Sequence, residues 1–319
     1  MSEKKPWKND VAVLFLFFAR PKQTAAVFKQ IKIARPRQLF LYQDGPRPGR
    51  EDDVENVRLC REIVEQIDWD CEVHRKYQEQ NYGCDPSEYI SQKWMFSHVD
   101  KGIVLEDDDV PSQSFFPYCK ELLDRYENDE RIGIICGMNN CDTFDNGYSY
   151  CFTRYGSIWG WATWKRNIDL WDSRYQWMND KHTVDSMRLK YKDFDGWLKV
   201  CKQHLATGRE HYESILGASV RLNNQLNIVP CKNLITNIGI AAESTHSVDD
   251  ISKLPRSMRH YFNKQIYEID MPLSHPEYIY EDYLFNEKFA KLCSLSRVKL
   301  LFNKIESRIY RLFPALGRL

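Results

Sequence analysis

Through residue 137 the chain alternates short apolar blocks with longer segments that are apolar on one side only. Val11–Phe18 is unbroken apolar sequence, which reads as a strand buried on both faces and is too short to span a bilayer. Lys22–Ile33 gathers Ala25, Ala26, Val27, Phe28, Ile31 and Ile33 along one side, the pattern of an amphipathic helix. The alternation continues with a strand at Gln38–Gln43, a helix at Asp52–Ile67, a strand at Cys71–Tyr77 and a helix at Pro86–Val99. A strand at Gly102–Leu105, a helix at Phe115–Tyr126 and a strand at Ile132–Cys136 complete it. Strict alternation of this kind predicts an α/β protein: a Rossmann-like, mainly parallel sheet with helices on both faces and right-handed crossovers.

Beyond residue 137 the period is lost. Residues 138–165 are rich in Gly and aromatics, residues 166–225 are charged and helical in pattern, and Leu226–Ile240 reads as one or two strands. Residues 253–319 are helical in places and end in a basic stretch. The expected organisation is a loose N-terminus at 1–10, a catalytic domain at 11–250 and a helical C-terminal extension at 251–319. The catalytic domain splits into a nucleotide-binding half at 11–137 and an acceptor half at 138–250.

Composition removes some function classes. Lys and Arg number 45, as do Asp and Glu, so bulk charge gives no reason to expect nucleic acid as partner. Trp and Tyr are plentiful at 9 and 18, which suits either a sugar-binding cleft or an aromatic core. The ten cysteines form no Cys-x-x-Cys pair and no zinc-like spacing. With no visible export signal they read as reduced thiols of a cytoplasmic protein; disulfides in an oxidising compartment are the alternative.

The chemistry concentrates where the fourth strand ends. Gly102–Leu105 runs into Glu106, Asp107, Asp108 and Asp109, and then Val110-Pro111. In open α/β sheets the ligand crevice lies outside the carboxyl ends of the strands. Four carboxylates there repel one another unless a cation or many donors compensate. Hard oxygen ligands suit Mg²⁺ or Mn²⁺, which commonly also holds substrate phosphates. The first and second strands end at Ala19-Arg20-Pro21 and Gln43-Asp44-Gly45, on the same expected edge. Arg20 can face a phosphate, and Asp44 can accept from a nucleotide base or ribose or simply shape an Asp-Gly turn.

These motifs in this order resemble the nucleotide-sugar-dependent glycosyltransferases with the family A fold, in particular a bacterial branch described as hemolytic protein-like. Around the acids the chain is also similar to the N-acetylglucosaminyltransferases of N-glycan branching. Further matches are Asn81-Tyr-Gly-Cys84, Tyr155-Gly-Ser-Ile-Trp-Gly-Trp-Ala-Thr-Trp164, Asn233-Leu-Ile-Thr-Asn-Ile-Gly239 and Thr245-His246. The resemblance implies a nucleoside diphosphate sugar donor, UDP-linked, and a glycan or lipid-linked saccharide acceptor. It places Asp107 near the ribose, Asp108 on the metal and Glu106 in support, with Arg20, Asp44 and Asn81 around the nucleotide. Because Asp107 and Asp109 also form Asp-x-Asp, they remain alternatives to Asp108 as metal ligand.

An inverting transfer needs a base for the acceptor hydroxyl. The family carries an aspartate between tryptophans at that point. Here the matching position, by its distance from Pro230, is Glu213 in His211-Tyr-Glu-Ser-Ile215, without the tryptophans. Asp193 and Asp195 are fallback carboxylates. His246 can bind metal or diphosphate. Trp159 and Trp161 can stack on sugar or acceptor, with Gly160 allowing close approach, whereas Trp164 reads as core. The tail over 296–319 is a basic amphipathic helix in pattern, suited to peripheral contact with an anionic membrane or to docking on the domain or on a second subunit of a homodimer. Two other readings stand beside glycosyl transfer. One is a nucleotidyltransferase or sugar-nucleotide pyrophosphorylase, against which the glycine-free Ala19-Arg-Pro-Lys22 counts. The other is a non-catalytic carbohydrate-binding module on the same fold.

Overall fold

A computed structural model describes residues 4–240, 254 and 259–293. The strands and helices of the first 137 residues fall where the apolar pattern puts them, within a few residues at each end. They are β1 (Ala12–Phe17), α1 (Pro21–Ala34), β2 (Gln38–Gln43), α2 (Glu51–Val64), β3 (Glu72–Tyr77), α3 (Cys84–Phe96) and β4 (Lys101–Glu106). After a short β5 (Asp109–Pro111) come α4 (Phe115–Arg125) and β6 (Ile132–Cys136). The second half supplies β7 (Tyr150–Thr153), β8 (Trp161–Trp164), α5 (Lys165–Asp169), α6 (Lys181–Lys190), α7 (Phe194–Thr207) and α8 (Tyr212–Leu222). It ends with β9 (Leu226–Pro230), β10 (Ile235–Asn237) and α9 (Tyr283–Cys293).

Eight strands form one sheet in the order β3-β2-β1-β4-β8-β6-β9-β7. The pairs β3–β2, β2–β1, β1–β4 and β6–β9 are parallel. The sheet is therefore the α/β, Rossmann-like kind expected, with one feature alternation could not reveal: β8 enters antiparallel between β4 and β6.

Both faces of the sheet are covered, and β1 shows why an unbroken apolar run is required. Val13, Phe15 and Phe17 join one core with α1, α2 and α4, while Ala12, Leu14 and Leu16 join a second core with α3, α7 and α8. A polar residue at any of these six positions would enter one core or the other. The same alternation decides the tryptophans of β8. Trp161 is fully buried in the second core and Trp164 nearly so in the first. Trp164 is core, as expected. The expectation of a sugar contact at Trp161 is corrected, because it lies opposite Val104 and Cys136 in the middle of the sheet.

Residues 1–10 were expected to be loose, yet Lys5 bridges Trp69 and Asn9 bridges Pro36 along the sheet margin. His246 and the basic tail at 296–319 lie outside the described residues. Among the described residues no helix is long and apolar enough to cross a membrane. The nine cysteines whose side chains are described are all free thiols.

Candidate active site at the carboxyl ends of β1, β2 and β4

The parallel register sets the geometry. Phe17 pairs with Gln43 and Leu16 with Glu106, so β1, β2 and β4 end level and their following loops share one edge. There they enclose a cavity of about 270 Å³ lined by Arg20, Asp44, Asn81, Glu106 and Asp107, with Phe18, Tyr42, Gly83, Ser87 and Glu88 among its other walls. Five residues picked out of separate stretches of sequence thus converge on one space.

Each acid of the tetrad has a different environment. Asp107 accepts from the backbone N–H of Phe18 at 3.2 Å and from Nη2 of Arg20. Asp108 accepts from Nη1 of Arg20 at 3.0 Å and from Nδ2 of Asn237 at 3.1 Å. Asp109 is wholly buried and accepts from the N–H of Gly160 at 2.8 Å and Nδ2 of Asn237 at 3.1 Å. Gly160 turns that N–H inward from a φ of +61°, a conformation glycine adopts without penalty. Glu106 faces α3 and α8, where Oη of Tyr212 lies 3.5 Å from its Oε1. Glu88 of α3 hydrogen-bonds the Glu106 carboxyl and accepts from Nε2 of Gln92 at 3.1 Å.

Five carboxyls crowd together here, and Arg20 pairs with two of them, Asp107 and Asp108. Burial pushes Glu88, Glu106, Asp108 and Asp109 upward. Glu106 raises Glu88 further, and Glu106 and Asp108 raise Asp109 further. For Arg20, burial works against the charged form, but Asp107 and Asp108 outweigh it and hold the guanidinium firmly charged.

A divalent cation can be tested against this donor set. Among the described residues no three His, Cys, Asp or Glu side chains converge as a ready-made metal cage. Mg²⁺ seldom needs one, taking one or two carboxylates plus water and phosphate oxygens. The excess of carboxylate over cation and the hard oxygens of Asp108, whose side chain keeps 12% of its surface exposed, fit such an ion. Asp109 is wholly buried against Gly160 and Asn237, whereas Asp108, which shares Asn237, keeps part of its side chain open.

Other predicted site residues have structural duties. Asp44 accepts from the N–H groups of Tyr82 and Gly83, both at 2.9 Å at their closest, and Asn81 donates to the carbonyl of Gly45 at 2.7 Å. Together they lock the loop after β3 onto the loop after β2. Trp159 is half-buried and lies 5.2 Å from Phe262, ring centre to ring centre. Glu213 is not brought into this cavity. It is exposed and lines a second space of about 1040 Å³ with Tyr155, Gly156, Asp193, Arg221 and residues of α9. Its neighbour Tyr212 reaches Glu106, so the first turn of α8 forms part of the wall between the two spaces.

Sequence reasoning missed Glu88, Tyr212, Asn237 and Gly239. Glu88 has a faint signal, a run of buried polar positions (Ser87, Glu88, Ser91, Gln92) on a helix that should present apolar side chains to the sheet. Asn237 and Gly239 sit inside a motif that the resemblance singled out without assigning a task. A Cβ at Gly239 would stand 2.1 Å from Oδ2 of Asp108.

No family model matches the chain, and the comparison with curated proteins gives no match. Solved structures similar to it include 4-diphosphocytidyl-2C-methyl-D-erythritolsynthase from Anaerococcus prevotii, at 10% identity and a TM-score of 0.31 over 51% of this chain and 75% of that one. The inositol-1-phosphate CTP transferase from T. maritima is similar at 10% and 0.31, over 51% and 74%. An apo UDP-glucose pyrophosphorylase is similar at 9% and 0.36, over 71% and 93%. Likeness of that degree says nothing of substrate or reaction.

Proposed function

We propose that this chain is an enzyme of nucleotide-sugar chemistry, and specifically a metal-dependent glycosyltransferase that moves a sugar from a nucleoside diphosphate to an acceptor hydroxyl. The observation that carries the proposal is the level ending of β1, β2 and β4 around one cavity, with Arg20 and Asp107 in its wall and Asp108 bonded to Arg20 behind them. The nucleotide occupies that cavity in the half at 11–137, with Asp107 toward the ribose. Asp108 would hold Mn²⁺ or Mg²⁺, and the ion would supply positive charge to offset the diphosphate leaving group.

The acceptor occupies the second space, whose walls the half at 138–250 shares with α9. Its walls mix charge with aromatic rings, Tyr155 stacking on Phe289 at 4.6 Å, a surface suited to a polyhydroxyl ligand. Glu213, at the border between the spaces, takes the proton of the attacking hydroxyl, and the sugar inverts.

A second reading is nucleotidyl transfer, the reaction class named by the similar solved structures above. Against it, the loop between β1 and α1 is short and glycine-free, and its arginine is engaged by acids. Product analysis separates the two. Incubation with UDP-sugars and Mn²⁺ should release UDP, by transfer or slow hydrolysis. Release of pyrophosphate from a nucleoside triphosphate and a sugar 1-phosphate, with no UDP from any sugar nucleotide, would overturn the proposal in favour of nucleotidyl transfer.

A further inference from the structure

We propose that Arg20 is a latch on the metal site: its guanidinium stands between Asp107 and Asp108 where the cation would bind, and a nucleoside diphosphate opens the site by drawing it away. The inference rests on the reading of Asp108 as the metal carboxylate. Nη1 lies 3.0 Å from Oδ2 of Asp108, and Nη2 reaches Oδ1 of Asp107, so one planar fork spans both acids. The side chain is only 13% exposed there. A divalent cation on the same oxygen would meet a fixed positive charge at contact distance, so the two must exchange.

The fold supplies both a pivot and a second partner for the guanidinium. The backbone of Arg20 is anchored, its carbonyl accepting from the N–H of Thr24 at 2.9 Å as α1 begins. The side chain can therefore leave the acids by rotation alone. It borders the nucleotide cavity, and a diphosphate there offers a bidentate anionic partner equal to the acid pair. Exchange of Arg20 from carboxylates to phosphate frees Asp108 when the cation's other ligands arrive, and the coupling is reciprocal.

The test is Mn²⁺ binding, read from the free-ion paramagnetic resonance signal and by calorimetry, for the wild type, Arg20→Gln and Arg20→Lys, each with and without UDP. Lysine keeps the charge but cannot fork across two carboxylates. The expected result is that both variants bind Mn²⁺ about tenfold tighter than the wild type without UDP, a modest step in affinity terms. UDP should then improve Mn²⁺ binding less in the variants than in the wild type. If Arg20→Gln is poorly folded, Arg20→Lys alone decides. Wild-type Mn²⁺ affinity in Arg20→Lys, with UDP still strengthening binding, would overturn the latch and leave the metal reading standing. No Mn²⁺ binding in any form, with or without UDP, would remove the metal reading and the latch together.

Discussion

The two cavities are built on opposite principles. The smaller one is made by strand ends. Its position follows from three parallel strands stopping level, and its charge is one-sided: Asp44, Glu88, Glu106 and Asp107 face Arg20 and Arg47, and Arg47 is itself paired with Asp53. The larger one is made by α8, α9 and loops, and its charges offset one another: Arg154 is paired with Glu281, and Arg221 lies over the ring of Trp197 at 4.6 Å. A one-sided cluster stores electrostatic tension that a ligand can relieve, so it is the natural seat of the donor's metal and phosphates. A balanced surface recognises shape and hydroxyls, so it suits an acceptor. The sharpest way to break this division is to remove one acid from each.

Asp108→Ala should have the largest effect. Loss of the metal carboxylate is expected to lower transfer by roughly 10³-fold or more, several kcal/mol of leaving-group stabilisation. It should also abolish the Mn²⁺-dependent part of any thermal shift caused by UDP. A variant that retained that shift would move the metal to Asp107 and weaken the contrast between the cavities. Glu213→Gln should act on the other side. Transfer is expected to fall about 10²- to 10⁴-fold, the range for a general base, while the UDP and Mn²⁺ shifts stay as in the wild type. If Glu213→Gln instead weakened nucleotide binding, the second cavity would not be a separate acceptor space.

Gly239→Ala probes the acid cluster from its packing side. The added methyl would press on Oδ2 of Asp108 at 2.1 Å, and the segment after β10 would have to give way. A loss of about 1–3 kcal/mol in stability is expected, as for other overpacked sites, with weakened Mn²⁺ binding beside it. Denaturant melts and Mn²⁺ titration check both. Unchanged values for both would show that the segment yields freely and that Asp108 is not held by it.

The same contrast explains what the sequence could and could not reveal. The first cavity was legible because its parts obey a local rule: an apolar strand, then chemistry at its carboxyl end. Arg20, Asp44 and the acids are all found that way, and parallel order does the rest. Tyr212 escaped because it reaches Glu106 from a helix far away in the chain, and Glu88 because no local pattern says which way the preceding helix turns its buried polar side. Trp161 misled for a related reason. Its Gly- and aromatic-rich stretch reads as a ligand loop, yet the stretch re-enters the sheet as β8 and alternation buries the ring. Likewise Val110-Pro111, after the acids, belongs to a second short strand paired with β10, which brings Asn237 opposite Asp109.

The smallest expected effect concerns the stored tension itself. Burial and Asp108 push Glu106 up to about 8, and burial with Glu106 raises Glu88. An acid whose folded value exceeds its unfolded one, about 4.3 for glutamate, favours folding fully below the unfolded value, and that contribution is lost as pH rises through the folded value. The metal-free protein should therefore lose stability from this pair between about pH 4.5 and 8, at a slope on the order of 1 kcal/mol per pH unit. Glu88→Gln keeps the shape and the hydrogen bond from Gln92 but removes one of the two raised acids. The contribution of Glu88 itself to the pH slope then disappears, and the decline with pH should become shallower, visible as a smaller fall in Tm between pH 5 and 8. The second cavity has no comparable buried acid pair among its described residues. Equal slopes for the wild type and Glu88→Gln would mean that the acid cluster is already relieved without ligand, and the one-sidedness that separates the two cavities would have no energetic consequence.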